Sequence, residues 1–542
     1  MCIRDSHDVG SAEARTMATV NRPRQLSTSP DGSLLAFVTG EGLFLLDMET
    51  VDAEPDRVYS INDSAIRVTG LQWSASGTRL AFMKLDATPL PERTIHYSAS
   101  GEQKSITVRR AFPGENTALY DVGVLDLHTR KSRVLERKDS RDYIWNYGIS
   151  PDGKRLFING SDLLIKHHQV DVFDLDSGNR EVFYQEHDPL HLRPDWRVEW
   201  APDGNGLVIL TDRNGYLHLF HQSGPKKDLR RLTSGAWEVS QFWVATDGQW
   251  VYFLANRSHL ADKSLYRVPF GGGEPERLTG GHGTHQPVFS AGLKNVVSLY
   301  SNDGVPHDLF HIDLEKKSST RITRSPHTDF YEQEWATVKY VNFRSRLDGA
   351  ELVGRLSVPP DFDPDRSYPL IVGSVYSDSV LNQWGGRQSH PTWGLDQYLV
   401  AQGYILLNVN IRGSWGQGRK HNQGQRYGYG IVDIEDLHSG VEYLIREGIA
   451  DPGRVGIWGS SYGGLMTTMS LFQKPGVYAA GIAGAPATNV AHAYPGQMWV
   501  MGEAVGEDQP GRYQSQSPLY HTEGLQDPLM IIHGTKDQVV LY

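Results

Sequence analysis

The sequence predicts two joined architectures: a β-propeller over residues 26–335, and over residues 336–542 an α/β domain on a doubly wound, mainly parallel sheet. Three observations carry this expectation. A turn-and-strand unit recurs six times in the first part, strand and helix patterns alternate in the second, and a glycine-flanked serine, Ser461, stands at the end of an apolar strand there.

The repeat has the form small, Pro or another residue, Asp, Gly, then a strand. Copies begin at Ser29, Ser74, Ser150, Ala201 and Ala245, with a looser sixth at Ser290. Each Asp-Gly is a hairpin signal, because glycine reaches the positive φ that tight turns need. Further strands follow, such as Gly42–Asp47, Val170–Leu175 and Leu265–Val268. The copies lie roughly forty-five residues apart, with a longer gap between the second and third, which is the period of four-stranded propeller blades.

From residue 336 the texture changes. Strands are predicted over Pro369–Tyr376, Tyr404–Asn410, Val455–Trp458, Ala480–Gly484 and Pro528–His533, with helices over Leu395–Gln402, Val432–Arg446 and Leu465–Phe472. Such alternation implies a parallel sheet with helices on both faces.

Composition narrows the function classes. A 542-residue chain that is 39% hydrophobic has material for two to four cores. A formal charge of −11 leaves no cationic surplus to neutralise phosphates, so nucleic acid is not an expected partner. The single Cys2 forms no internal disulfide and leaves the compartment open, cytoplasmic or periplasmic and secreted alike. No run of about eighteen apolar residues occurs, so a soluble chain without a membrane span is predicted. Residues 1–25 lack the apolar core of a signal peptide and run straight into a repeat; a poorly structured, incomplete or foreign start is expected there.

The chemistry centres on Gly459-Ser-Ser-Tyr-Gly463. A serine held on a strand-to-helix turn, with glycines two residues to either side, presents its hydroxyl clear of the sheet; this is the nucleophile elbow of α/β-hydrolases. Ser461 satisfies the pattern; Ser460 has Trp458 and Tyr462 where its glycines would stand. A serine needs a base, and in this fold the partners follow in the order Ser, acid, His. Asp537 follows an apolar strand, so its carboxylate would emerge at the strand's C-terminal end, where ligand crevices of open α/β sheets lie. Five residues then follow it, and none is His. The base is therefore expected beyond Tyr542, and the 542 residues are expected to form a truncated hydrolase domain with negligible turnover. Among the 21 histidines, His533 reads as structural, and His438, His492 and His521 would need a rearranged triad. The pairs His167 with His168 and His282 with His285 match no metal spacing and read as surface or packing residues.

These motifs resemble the prolyl oligopeptidase family of serine peptidases, and within it the dipeptidyl peptidase IV branch. The resemblance lies in Tyr368-Pro-Leu-Ile-Val with Tyr376, Ile411-Arg-Gly-Ser-Trp-Gly-Gln-Gly418, Gly453 to Gly464, Ala483 to Thr488 and Ile531 to Asp537. In the propeller it lies in Leu85 to Pro91, Phe112 to Thr117 and Arg231 to Val239. It implies an enclosed site between propeller and hydrolase domain, no metal or cofactor, and short peptides as substrates, with the propeller as size filter. It further implies an oxyanion hole from the Tyr462 N–H and the Tyr376 hydroxyl, and a specificity-pocket wall over Tyr494 to Trp499. Relatives occur as monomers and dimers, so a homodimer is compatible.

Four departures stand out. The stretch Tyr59 to Val68 lacks the Glu-Glu pair that anchors a free peptide N-terminus in the branch; Ser460 replaces an aromatic, Asn410 an Asp and Val539 an Asn. The sequence thus predicts a serine peptidase, dipeptidyl peptidase-like with preference for proline or small residues. An acylaminoacyl-peptidase or broad oligopeptidase, and a non-catalytic peptide-binding relative, are the alternatives.

Overall fold

The computed structural model describes residues 2–7, 14–50, 53–99, 102–194, 196–290, 293, 295–373, 375–389, 391–392, 394–504 and 509–541. Six four-stranded antiparallel sheets follow one another from Arg24 to Arg321. They span 24–60, 66–134, 143–187, 198–231, 239–277 and 284–321, and together form the propeller.

Every copy of the repeat is the turn between the first two strands of a sheet. The same backbone bond closes all six, from the first turn residue to the carbonyl five residues on: Ser29 to Leu34, Ser74 to Arg79, Ser150 to Arg155 and Ala201 to Gly206, each 2.8 Å, Ala245 to Trp250, 3.0 Å, and Ser290 to Asn295, 2.9 Å. Gly32, Gly77, Gly153, Gly204 and Gly248 take φ of 77, 70, 74, 70 and 71°. In the sixth copy Leu293 stands there at φ 56°. The strand after each turn carries the core: Phe37, Phe82 and Phe253 are fully buried and Phe157 is 1% exposed.

The long gap between the second and third copies has a structural cause. The second sheet carries a hairpin arm, Glu92–Ala99 paired with Glu102–Arg109, between its second and third strands. One expectation is corrected at the N-terminus. Cys2–His7 and Ala14–Thr19 pair antiparallel rather than lacking structure, because a mutual ladder satisfies backbone groups that their polar sequences gave no reason to pair. Residues 8–13 lie outside the described residues.

The second domain is a seven-stranded sheet. Its strands are β1 (Thr337–Arg344), β2 (Glu351–Val358), β3 (Tyr368–Val372), β4 (Ile405–Asn410), β5 (Ala450–Ser460), β6 (Ala480–Gly484) and β7 (Leu529–Ile532). They lie in the order β1-β2-β4-β3-β5-β6-β7; β1, β2 and β4 pair antiparallel, and the remaining pairs are parallel. The helices that position the site are α1 (Leu395–Ala401), α2 (Val432–Arg446) and α3 (Tyr462–Gln473). In α2, Ile434, Leu437, Val441 and Leu444 form a buried stripe. Helix α3 is buried from Tyr462 to Phe472, as a helix packed on all sides must be.

The strand expected over Pro369–Tyr376 ends at Val372. Its last residues leave the sheet, which frees Tyr376 to turn over the neighbouring strand end. No helix among the described residues is long and apolar enough to cross a membrane.

The two domains meet through charge. Arg419 reaches Glu186 at 2.8 Å, Asp188 at 3.1 Å and Asp212 at 2.6 Å. The buried Glu238 carboxylate accepts the Gly416 N–H at 2.7 Å and the Gly418 N–H at 3.2 Å, and pairs with Arg193 at 2.5 Å. Arg355, fully buried in β2, pairs with Asp303 of the last propeller sheet at 2.8 Å.

Candidate active site

Ser461 directly follows β5 and caps α3 with φ 60° and ψ −117°, a strained conformation for a non-glycine residue. Its N–H donates to the Gly484 carbonyl at 2.9 Å, and its carbonyl accepts the Leu465 N–H at 3.0 Å, the first bond of the helix. The glycines around it are needed for closeness. A Cβ on Gly459 would lie 2.6 Å from the Gly463 oxygen, one on Gly463 2.2 Å from the Val375 oxygen, and one on Gly464 2.7 Å from the Gly484 oxygen. The Gly463 approach draws the loop after β3 against the turn and delivers Tyr376.

Tyr376 hydrogen-bonds with the Ser461 side chain. Burial pushes its phenol above the ordinary value, partly offset by that bond, so it is a neutral donor at neutral pH. The loop is held from behind by Arg387, 1% exposed, which donates to Asp378 Oδ1 at 3.0 Å and to the Val409 carbonyl at 2.9 Å.

Tyr462 stands edge-on to Tyr376, with centroids 5.7 Å apart and planes at 87°. Its hydroxyl donates to Asp433 Oδ2 and accepts from Gln425 Nε2. Asp433 is fully buried and also takes the Gly430 N–H at 3.0 Å and the Ile434 N–H at 2.7 Å. Burial raises its carboxyl to about 6. With its side chain anchored, Tyr462 offers its backbone N–H at the start of α3, where the helix dipole favours negative charge.

Asp537 lies on the loop after β7 and accepts the Val539 N–H at 2.8 Å and the Val540 N–H at 3.0 Å. The four histidines weighed as candidates for the base make other contacts as well. His492 stacks on Phe112 at 4.7 Å, His438 bonds to Glu442 at 3.0 Å, His521 to the Ser515 carbonyl at 3.0 Å, and His533 to the Gly534 carbonyl at 3.1 Å. None of these contacts reaches Ser461 or Asp537.

A cavity of about 90 Å³ opens against Ser461, with Tyr462, Val490, His492, Tyr494 and Arg110 in its lining. Of the two residues expected in a pocket wall, Tyr494 is in this lining. Trp499 is not: it packs between the propeller core and the hydrolase core and meets His191 edge-on at 4.8 Å. It faces away because the short helix Met498–Met501 turns its own apolar residues inward.

Sequence reasoning missed Arg110, Asp433, Gln425 and Arg387. For Arg110 a signal existed in the long gap between repeats, which is the arm that delivers it; the other three are recognisable only from what they touch.

A seven-stranded sheet with a strained serine at a strand-to-helix turn, joined to a propeller of four-stranded sheets, defines an α/β-hydrolase with a serine site facing a propeller. The prolyl oligopeptidase family profile matches residues 393–542, and that of the dipeptidyl peptidase IV (DPP IV) N-terminal region matches residues 5–307. The chain belongs to the prolyl oligopeptidase family, on its dipeptidyl peptidase IV-like side.

It is 26% identical to a probable dipeptidyl-aminopeptidase B of Tuber melanosporum, over 89% of this chain and 59% of that protein. It is 23% identical to dipeptidyl peptidase 4 of Sus scrofa, over 99% of this chain and 76% of that protein. The crystal structure of Porphyromonas gingivalis dipeptidyl peptidase 4 superposes with a TM-score of 0.85 at 21% identity, covering 98% of this chain and 78% of that one. The chain therefore spans between about three fifths and four fifths of these proteins.

Proposed function

We propose that this chain carries the propeller and much of the hydrolase domain of a serine peptidase, in which Ser461 attacks the carbonyl of a short peptide and holds the acyl group. The observation that carries the reading is the strained Ser461 turn hydrogen-bonded to Tyr376. As the carbonyl becomes tetrahedral, its oxygen gains charge between the Tyr462 N–H and the Tyr376 hydroxyl. Donors fixed in advance are worth about 3–4 kcal/mol each. Asp537 takes the part of the carboxylate that orients the base.

Release of dipeptides is supported by the relatives' names. A preference for proline or small side chains is supported by the cavity of about 90 Å³, the room of about three waters. The absence of an acidic pair in residues 59–68 favours a second reading, an acylaminoacyl-peptidase or broader oligopeptidase that needs no free N-terminus.

A fluorophosphonate probe tests the assignment. In a chain extended past Tyr542, Ser461 should be labelled, Ser461→Ala should abolish labelling, and Tyr376→Phe should slow it by about a hundredfold. The 542-residue chain should turn over peptide negligibly. Labelling that survives Ser461→Ala, or an extension with no histidine, would overturn the peptidase assignment in favour of a non-catalytic peptide binder.

A further inference from the structure

Arg110 is part of the Ser461 pocket, yet acyl transfer as proposed leaves it without a task. It follows directly on the hairpin arm and is 5% exposed. Nη1 donates to the carbonyls of Gln538, at 2.9 Å, and Val539; Nη2 donates to the His492 carbonyl at 2.8 Å; and the guanidinium lies 4.0 Å from the Tyr494 ring centroid. All these partners are neutral. Its buried Nε has no hydrogen-bond partner among the described residues.

Asp537 acts on the guanidinium through space, with no hydrogen bond between the two among the described residues. The pocket lining contains Arg110 and His492 and, among the described residues, no Asp or Glu. A second cation, Arg93, covers Phe112 at 3.5 Å, and Phe112 stacks on His492. Burial holds the Arg110 guanidinium below its ordinary value, as expected for a cation taken out of water. A buried guanidinium whose hydrogen bonds go only to carbonyls gains from a further carboxylate, through charge-assisted hydrogen bonds.

The geometry points to a carboxylate-selective subsite: the pocket favours peptides that present a carboxylate to Arg110, from an Asp or Glu side chain or from the peptide's own C-terminus. This rests on the peptidase reading and specifies its substrate class. Specificity thus comes partly from the propeller, through a residue whose other bonds hold the loops of His492 and Asp537.

Binding to the Ser461→Ala form of the chain, where no turnover intervenes, tests it by fluorescence anisotropy. Three labelled, N-acetylated tetrapeptides are compared: Ala-Ala-Glu-Ala amide, Ala-Ala-Gln-Ala amide, and Ala-Ala-Gln-Ala with a free C-terminus. At least one carboxylate peptide should bind about tenfold more tightly than the Gln amide, the size of one hydrogen bond to a charged group. Which one does so identifies the source. The preference should vanish in Arg110→Met and persist in part in Arg110→Lys; where the Met variant fails to fold, the Lys variant and a decline of the preference with added salt carry the test. Equal affinity for all three peptides, or a preference that survives Arg110→Met, would overturn the subsite. Labelling of Ser461 is a separate readout. Labelling without carboxylate preference sinks this inference alone, and carboxylate preference without labelling sinks the peptidase reading alone.

Discussion

Asp433 shows at the residue scale how a buried acid can serve a site without touching substrate. It anchors the Tyr462 hydroxyl, and burial raises its carboxyl to about 6. An acid whose folded value is raised favours the protonated folded state. That contribution is complete below the unfolded value near 4 and is lost as pH rises through 6. The size is on the order of 3 kcal/mol. Urea midpoints measured from pH 4 to 7 should therefore show a falling component in the native chain that Asp433→Asn removes. An identical pH slope in both proteins would rule it out. The Asn side chain keeps a carbonyl for Tyr462, so the readout concerns the proton rather than loss of the anchor.

The serine turn is the element most dependent on backbone proximity. A methyl on Gly463 would fall 2.2 Å from the Val375 oxygen, so Gly463→Ala must push apart the loop that carries Tyr376. Overpacking of this kind costs typically about 1–3 kcal/mol, and denaturant unfolding of the hydrolase domain should show it together with slower labelling of Ser461. Elements of this kind were legible in the sequence because their causes are local. Asp-Gly turns announced four of the six first hairpins and Ser76-Gly77 a fifth, and apolar periodicity placed α2 at Val432–Arg446 as observed. Tyr376 was read as strand because Val375 and Tyr376 continue an apolar run, and nothing local reports that Gly463 waits across the sheet. Trp499 was read as pocket wall because the approach of the propeller core is likewise absent from its neighbours in sequence.

For the whole molecule, the joint between the domains is ionic and specific. Arg419 bridges the hydrolase domain to the trio Glu186, Asp188 and Asp212, with Asp212 almost fully buried. Arg419→Met leaves these carboxylates facing one another, and breaking a buried pair costs about 3–5 kcal/mol. Calorimetry should show the propeller and hydrolase transitions separating, with partial recovery at acidic pH as Asp212, whose carboxyl burial raises, takes up a proton. A single unchanged transition would mean that the remaining contacts, such as Asp303 with Arg355, suffice to join the domains. The gap between repeats signalled the arm that carries Arg110, but not its partners: its acceptor in Val539 lies 429 residues away.

The ionic joint also sets an order of events during synthesis. Domains fold as units, the N-terminal one first, while the rest of the chain is still being made. Asp303 gains its arginine 52 residues later, whereas Asp212 and Glu186 wait 207 and 233 residues for Arg419. Until then the newly made propeller presents a ring end of unpaired negative charge that holds water and repels its own kind. The face destined for the second domain is thereby kept from premature association while that domain is still on the ribosome.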